Sequence, residues 1–163
     1  MSGTLKTADG ADFKALIFPD SQSADYSVWR DTAIPAWERN KDAQFFINIG
    51  DLVDNGQASY QWNAWFDACE DMICQIPVAP LDGNHETYDL DWNMHMPVSY
   101  TTLFDLPKNG LSKYPNQFYS FDYGDIHFTV MDTQFTELKD FEPTLLDEET
   151  AWLINDLKQT TKK

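Results

Sequence analysis

The sequence predicts an α/β fold in which parallel strands alternate with helices. Short apolar runs recur at 13–18, 43–49 and 76–81, and runs of this length are typical of buried strands. Amphipathic stretches with helical periodicity separate these runs. The order strand, helix, strand, helix, strand favours parallel strands with helices packed on the faces of the sheet.

The first strand and the helix after it follow from apolar spacing and from the positions of proline. The strand at 13–18 stops at Pro19 and Asp20, where the apolar run ends. Residues 25–40 have a helical pattern that Pro35 interrupts, and an interior proline kinks or ends a helix. The apolar residues at helical spacing in that stretch are Tyr26, Trp29, Ala33 and Trp37.

The helix between the second and third strands has the clearest apolar face. Residues at helical spacing on that face are Trp62, Trp65, Phe66, Cys69, Met72 and Ile73. An aromatic stripe of this kind is more often core than a ligand site, and we interpret it as core. Cys69 and Cys74 are not spaced to meet on one helix, so we expect no disulfide and interpret both as small core-facing residues.

The second half of the chain has a less regular hydrophobic pattern. Residues 88–116 are rich in loop formers and have few periodic signals. Two strands at 117–123 and 125–133 follow, and the turn through Gly124 predicts a β-hairpin. A last helix is expected from an N-cap at Asp147 to about Lys158.

Length and charge limit the classes of function. The chain has 163 residues, 42% of them apolar, which suits one globular domain. Its net charge of −16 argues against nucleic acid as a partner, because that affinity comes largely from Lys and Arg. No apolar run approaches the roughly 20 residues that span a bilayer. Residues 1–12 carry Lys6, Asp9 and Asp12 and lack the apolar stretch of a signal peptide.

Three polar clusters follow the three predicted strands. They are 20–22 (Asp-Ser-Gln), 50–55 (Gly-Asp-Leu-Val-Asp-Asn) and 83–86 (Gly-Asn-His-Glu). Asp20 and Asp51 are 31 residues apart and Asp51 and Asn84 are 33 apart, and each spacing suits one strand–helix unit. Because the carboxyl ends of parallel strands meet at one edge of a sheet, we expect the clusters to lie side by side.

Carboxylates, an amide oxygen and an imidazole at one edge suit divalent metal ions. Oxygen ligands suit Mg, Mn and Fe, and an added histidine suits Zn or Fe. A carboxylate that reaches two metals can hold them about 3.5–4 Å apart, the geometry used on phosphate esters. A nearby histidine could protonate the leaving alcohol. Each cluster alone has a plainer interpretation, since Asp at a strand end is often a helix cap or a turn former.

The clusters at 50–55 and 83–86 resemble the second and third motifs of the calcineurin-like metallophosphoesterases, nearest to the purple-acid-phosphatase-like branch. The cluster at 20–22 resembles the first motif, with Gln22 where many members have a metal-binding histidine. Residues 125–133 resemble the middle strands of the family. The resemblance runs from about Lys14 to the end of the chain.

The resemblance implies roles for four residues and a cofactor of two metal ions, Fe, Mn or Zn. Asp20 would bind the first metal, Asp51 would bridge both, and Asn84 would bind the second. His85 would contact the scissile phosphate as an acid or an electrostatic stabiliser.

Two further residues depart from the family pattern. Asp54 stands where the purple enzymes carry a tyrosine ligand, so the purple colour is not expected. Gln22 would be a weak metal ligand or lie in the outer shell of the metal site. Asp54 is likewise a candidate metal ligand or outer-shell residue.

The family also supplies histidines after its last helix, including a Gly-His-x-His element. This sequence has only His85, His95 and His127, and we interpret His95 as a surface residue and His127 as a satisfied interior one. The resemblance thus implies an incomplete catalytic domain at 13–163, the first half of a four-layer α/β/β/α sandwich. Residues 1–12 resemble the end of a preceding fibronectin-like domain.

Two functions from different classes follow. The first is metal-dependent hydrolysis of a small phosphoester, complete only with the C-terminal histidines, so that this chain alone would be inactive. The alternative is an inactive fragment or degenerate homologue that binds metal or phosphate, or serves as an interaction module. The charge disfavours a nuclease. The resemblance leans towards an extracytoplasmic location.

Overall fold

A computed structural model describes residues 12–162 and has the predicted mixed α/β architecture. The expected fibronectin-like segment lies almost entirely outside the described residues. A short 3₁₀ turn, His85–Thr87, follows the third strand. The elements in chain order are β1 (Ala15–Pro19), α1 (Ser27–Glu38), β2 (Phe45–Ile49), α2 (Ser59–Ile73), β3 (Val78–Leu81), α3 (Val98–Leu103), β4 (Tyr119–Tyr123), β5 (Ile126–Val130) and α4 (Leu145–Gln159).

Two sheets form the framework. Strands β1, β2 and β3 lie side by side in that order and are all parallel, with Ala15 opposite Phe45 and Phe46 opposite Val78. Strands β4 and β5 form the predicted antiparallel hairpin. The parallel order brings the carboxyl ends of β1, β2 and β3 to one edge, as the sequence predicts.

The aromatic stripe of α2 is core, as predicted. Trp62, Trp65, Cys69 and Met72 are buried, and the rings of Trp65 and Trp29 stack with centroids 6.0 Å apart. Burying one such side chain stabilises the fold by about 1.5–3 kcal/mol. This packing fixes α1 and α2 together on the sheet.

Helix α1 continues through Pro35 instead of ending there. Trp29, Ala33 and Trp37 are all buried, so the apolar face of the helix is anchored on both sides of the proline. The backbone carbonyl of Pro35 still accepts a hydrogen bond from the Arg39 N–H at 3.2 Å. Tertiary packing therefore outweighs the one hydrogen bond that proline removes.

An aromatic cluster joins the hairpin to the parallel sheet. The rings of Phe121 and Phe128 stack within the hairpin with centroids 4.9 Å apart. Phe45 of β2 packs against Phe121 at 5.8 Å and Tyr123 at 5.0 Å. The hairpin is thus held over the sheet. The residues just after β5, Met131 and Thr133, reach the carboxyl edge of the parallel strands.

Helix α4 begins at Leu145, and the predicted N-cap at Asp147 is wrong. Thr144 is the N-cap, since its carbonyl accepts the backbone N–H of Glu148 at 3.0 Å, and Leu145 at the first helical position is fully buried. Asp147 lies in the first turn, where a negative charge interacts favourably with the helix dipole.

The cysteines and the loop region differ from expectation at two points. Both cysteines are free, as expected, but only Cys69 is buried, and Cys74 is exposed because it lies just past the end of α2. The irregular segment at 88–116 contains α3, which the sequence pattern does not predict. Tyr100 anchors that helix, since its fully buried hydroxyl donates to the Pro80 carbonyl at 3.0 Å.

Candidate metal centre

A cavity of about 390 Å³ lies at the carboxyl edge of the parallel sheet. The ends of all three parallel strands line one side of it, and the end of the hairpin lines the other. Its polar lining includes Asp20 from the first cluster, Asp51 from the second and Asn84 from the third. The structure therefore brings together three of the four residues singled out for metal binding and catalysis.

The backbone at two of these positions is left-handed. Asp20 has φ 37° and Asp51 has φ 49°, and Gly50 between strand and carboxylate has φ 66°. Residues other than glycine rarely adopt such angles, although aspartate tolerates them better than most. Conformations of this kind cost about 1–3 kcal/mol each and cluster at functional sites.

Asp51 lies at the centre of contacts between all three loops. Its Oδ1 atom accepts the backbone N–H of His85 at 3.1 Å. Its Oδ2 atom is 3.5 Å from the side-chain amide nitrogen of Gln22, and its carbonyl accepts the Gln22 N–H at 3.0 Å. The carboxylate is therefore placed between the first and third clusters.

Glu86 holds the loops of the second and third clusters together, a role that its sequence position does not indicate. Its carboxylate is 1% exposed and accepts four backbone N–H groups. Three of them belong to the loop at 51–53, at 2.9, 2.8 and 3.1 Å, and the fourth belongs to Gly83 at 2.7 Å. Burial raises the pKa of Glu86 to about 8, and the N–H bonds from Gly83 and Val53 oppose that rise.

Gly83 leaves room for Asp51. A Cβ atom at position 83 would overlap the carboxylate and the backbone nitrogen of Asp51. Only glycine therefore lets the third cluster approach the second this closely.

His85 lies beside the cavity with a defined tautomer. Its Nδ1 atom is 2.7 Å from the carbonyl oxygen of Asp54. A carbonyl oxygen only accepts, so Nδ1 carries the proton and Nε2 is left for a ligand. The carboxylate of Asp54 is 3.6 Å from the same nitrogen. Asp54 thus orients His85 and lies outside the lining of the cavity.

Buried contacts fix the loop of the first cluster. The indole N–H of Trp65 donates to the Ser21 hydroxyl at 2.9 Å, and that hydroxyl donates to the Asn48 side-chain oxygen at 2.9 Å. Asn48 in turn donates to the Phe18 carbonyl at 3.1 Å. Sequence reasoning assigned no role to Ser21 or Asn48, because a buried polar pair leaves no periodic signal.

The oxygen donors fit a divalent cation in part. Two carboxylates and one amide, those of Asp20, Asp51 and Asn84, face one cavity, and such oxygens suit hard cations. Within residues 12–162, no group of three or more His, Cys, Asp or Glu side chains is close enough to hold a metal ion. The oxygen atoms that the described residues bring to the cavity are therefore those of two carboxylates and one amide from the predicted set.

Residues 17–158 match the family model of the calcineurin-like phosphoesterases. The chain belongs to this family. The family is a class of phosphoester hydrolases whose members generally use two metal ions, which agrees with the oxygen donors at the strand ends.

Plant purple acid phosphatases are among the relatives that the chain matches. Purple acid phosphatase 23 of Arabidopsis thaliana is 28% identical over 63% of this chain, and purple acid phosphatase 15 is 26% identical over 63%. The protein named "Probable inactive purple acid phosphatase 9" of the same plant is 29% identical over 56% of the chain. This chain spans 21%, 18% and 18% of the lengths of proteins 23, 15 and 9, about a fifth in each case.

The fold also matches a solved structure. The purple acid phosphatase PPD1 from yellow lupin (Lupinus luteus) seeds superposes on 75% of this chain with a TM-score of 0.58 and 21% identity. The match covers 25% of the lupin chain. The match supports the α/β fold class of this chain.

Two aromatic rings lie beside His85. The ring centroid of Tyr88 is 5.5 Å from that of His85, and the ring centroid of Trp92 is 6.4 Å away. Trp92 is 54% exposed and has φ 63°, a left-handed angle that is rare for a bulky residue. The structure therefore places an exposed aromatic ring at the side of the site.

The other two histidines lie outside the lining of the cavity. The His127 ring nitrogens are 2.7 Å from an oxygen of Asp122 and 2.8 Å from an oxygen of Asp156. The two carboxylates raise the pKa of His127, and the predicted satisfied interior histidine agrees with this geometry. His95 is half-buried against the ring of Phe141, with centroids 6.0 Å apart, so the predicted surface position is only partly right.

Buried acids lie at the cavity, where Asp82 is part of the lining, and at the end of the hairpin. Burial raises the pKa of Asp132 to about 6 and that of Glu149 to about 7. Burial and the nearby Asp132 raise the pKa of Asp82 as well. Glu149 accepts the backbone N–H of Asp132 at 2.7 Å. No sequence pattern marks this group, because acidic residues this far apart in the chain give no sign that they are buried together.

Proposed function

We propose that this chain supplies part of a two-metal site that hydrolyses phosphoric esters. The observation that carries the proposal is that Asp20, Asp51 and Asn84, from three consecutive strand ends, line one cavity beside His85. Family membership supports hydrolysis of phosphoesters as the reaction class.

The metal roles are those that the resemblance implies, and the position of Asp51 supports them. Asp51 lies between the loops of the first and third clusters, which suits a carboxylate that bridges two ions. Asp20 would then hold the first ion and Asn84 the second. Bound divalent ions would activate water and offset the negative charge on the phosphoryl oxygens.

His85 is the proposed acid. The bond from its Nδ1 atom to the Asp54 carbonyl fixes the ring and directs Nε2 away from Asp54. When the ring is protonated, Nε2 can donate a proton to the departing alcohol oxygen, or stabilise charge on the phosphate. Asp54 acts through His85, since its carboxylate lies 3.6 Å from the opposite nitrogen.

The resemblance to the family implies further histidine ligands outside residues 1–163. We propose that these ligands complete the two-metal site in a longer protein and that the isolated chain lacks turnover. A small phosphoester is the proposed substrate, and an extracytoplasmic location follows from the resemblance alone. Within residues 12–162, no helix is long and apolar enough to cross a membrane.

Asp51→Asn tests the proposal. In a form extended beyond Lys163, the substitution should abolish bound metal and the hydrolysis of p-nitrophenyl phosphate together, because the bridging carboxylate is lost. Metal content is measured by plasma mass spectrometry on the same samples. Asp147→Asn, on the first turn of α4, is the matched control and should keep both. Full activity of Asp51→Asn would contradict the proposal.

A second candidate is a module that binds metal or phosphate without turnover. Two observations favour it: Asp54 replaces a tyrosine ligand, and one relative carries the name of a probable inactive phosphatase. The extended form separates the two candidates. Bound metal without hydrolysis of p-nitrophenyl phosphate would support the module, and hydrolysis would support the enzyme.

A further inference from the structure

The hairpin side of the cavity carries two polar side chains that the proposed metal roles do not use. Thr133 and Gln134 follow β5 and line the cavity opposite the three strand ends. Thr133 is exposed and Gln134 is half-buried, so a molecule in the cavity can reach both. Within residues 12–162, neither side chain has a hydrogen-bond partner.

Hydrogen bonds fix the backbone that carries these two side chains. The Oδ1 atom of Asp132 accepts the backbone N–H of Gln134 at 2.7 Å, and the Gln134 carbonyl accepts the N–H of Leu138 at 2.8 Å. Asp132 is itself fully buried, and its backbone N–H donates to Glu149 at 2.7 Å. The backbone at 133–134 is therefore in place before a ligand arrives, which lowers the entropic cost of binding.

The charge of the cavity favours neutral donors as the partners of a phosphate. The described residues that line it include Asp20, Asp51 and Asp82 but no Lys or Arg. Bound cations at the strand ends would offset part of the charge of a phosphoryl group. The phosphoryl oxygens that face away from the strand ends need hydrogen-bond donors as well, because an anion that leaves water without partners is unfavourable.

On the hairpin side, two side chains can supply those donors. Thr129 also lines the cavity there, but its hydroxyl already donates to the Asp156 carboxylate at 3.3 Å. The hydroxyl of Thr133 can donate one hydrogen bond, and the amide nitrogen of Gln134 can donate two. Both residue types therefore suit the oxygens of a phosphoryl group.

We propose that Thr133 and Gln134 bind the phosphoryl oxygens of the substrate from the hairpin side. This inference rests on the proposed function, since it adds two substrate-binding residues to the same site. Neither residue is among those to which the resemblance assigns a role. Because the contacted oxygens take no part in bond cleavage, the two contacts act on the binding of ester and of phosphate more than on the rate of cleavage.

Calorimetric titration with inorganic phosphate tests the inference on the form extended beyond Lys163 and loaded with Mn²⁺. Thr133→Val should weaken phosphate binding about tenfold, because it removes a hydrogen bond to a charged group at nearly constant shape. Thr133→Ser keeps the donor and should bind phosphate within about twofold of the unsubstituted form. Thr136→Val is the matched control, since Thr136 is an exposed residue of the same loop outside the lining of the cavity.

A charged variant tests the second residue. Gln134→Glu replaces the donor by a negative charge and should weaken phosphate binding more than about tenfold. Gln75→Glu adds the same charge at an exposed position just past α2 and should leave phosphate binding unchanged.

Kinetics and metal content separate substrate binding from a merely structural role. In Thr133→Val the KM for p-nitrophenyl phosphate should rise about tenfold, while kcat changes less than about threefold. Metal content by plasma mass spectrometry and the melting temperature should both stay unchanged. A residue that only supports the loop would lower the melting temperature or the metal content instead.

The outcomes separate the inference from the proposed function. If Thr133→Val and Gln134→Glu both bind phosphate within about twofold of the unsubstituted form, the inference is overturned and the proposed hydrolysis stands. If the unsubstituted form binds phosphate without hydrolysing the ester, the proposed hydrolysis is overturned, and the same calorimetric comparison still supports or overturns the inference. If it binds no phosphate, both are overturned. Weaker phosphate binding in the two variants, with both controls unchanged, supports the inference.

Discussion

Single residues at the cavity adopt backbone angles that few side chains tolerate. Asp20 and Asp51 are left-handed, and Gly83 touches Asp51 with no room for a methyl group. Strain of this kind persists only where the surrounding contacts determine it, here the four bonds to Glu86 and the pair Trp65 and Ser21. Substitutions at these positions should therefore alter the metal centre before they alter the fold.

Gly83→Ala, which adds one carbon atom, tests whether these positions control the metal centre. The added methyl group would overlap the Asp51 carboxylate, so Mn²⁺ binding should weaken at least about tenfold, as measured by titration. Gly124→Ala, in the hairpin turn at φ 58°, is the control. It should lower the free energy of unfolding by about 1–2 kcal/mol and leave metal binding unchanged. Equal metal affinity of Gly83→Ala and the unsubstituted chain would contradict the prediction.

The carboxyl ends of strands β2 and β3 are joined by the carboxylate of Glu86. Glu86 holds the loop after β2 and the start of the loop after β3 through four N–H bonds, so two strand ends share a single acceptor. In Glu86→Gln an amide N–H₂ would face two of those N–H groups. The loops should then separate, and the donors that they carry should move apart.

Glu86→Gln should lower the free energy of unfolding by about 2–4 kcal/mol, because two buried donors lose their acceptor. Urea unfolding with no added metal measures the change. Glu70→Gln, on an exposed position of α2, should stay within about 0.5 kcal/mol of the unsubstituted chain. A loss at Glu86 as small as that at Glu70 would show that the four bonds add little.

The elements with strong periodic or positional signals could be predicted from the sequence. The spacing of Asp20, Asp51 and Asn84 predicted their convergence, because parallel strands end at one edge. The role of Glu86 could not be predicted, since an inward carboxylate looks the same in sequence as a solvated one. Helix α3 depends on the long-range bond from Tyr100 to Pro80, which no local pattern carries.

The whole molecule has a net charge of −16, and some of its carboxyl groups are buried beside one another, as Asp132 and Glu149 are. Burial raises the pKa of Asp132 to about 6 and that of Glu149 to about 7. The folded chain therefore holds protons that the unfolded chain releases. This stabilisation is complete below the ordinary pKa of a carboxyl group and is lost as the pH rises through about 6–8, because burial also raises the pKa of Glu86 to about 8. The raised pKa of His127 acts in the same direction.

The melting temperature without metal should consequently fall by about 5 °C between pH 5 and pH 8. Calorimetry in the presence of a chelator measures this difference. The double substitution of Asp132→Asn and Glu149→Gln should reduce it, because the two amides do not titrate. A melting temperature that is flat or rises over the same range would contradict the buried protons.

The central claim is that the three strand ends form a metal centre, and anomalous diffraction from Mn²⁺-soaked crystals tests it most directly. We predict an anomalous peak in the cavity, within about 2.6 Å of carboxylate oxygens of both Asp20 and Asp51. A peak elsewhere on the molecule, or none in a cavity whose Asp20, Asp51 and Asn84 side chains turn away from one another, would contradict the account.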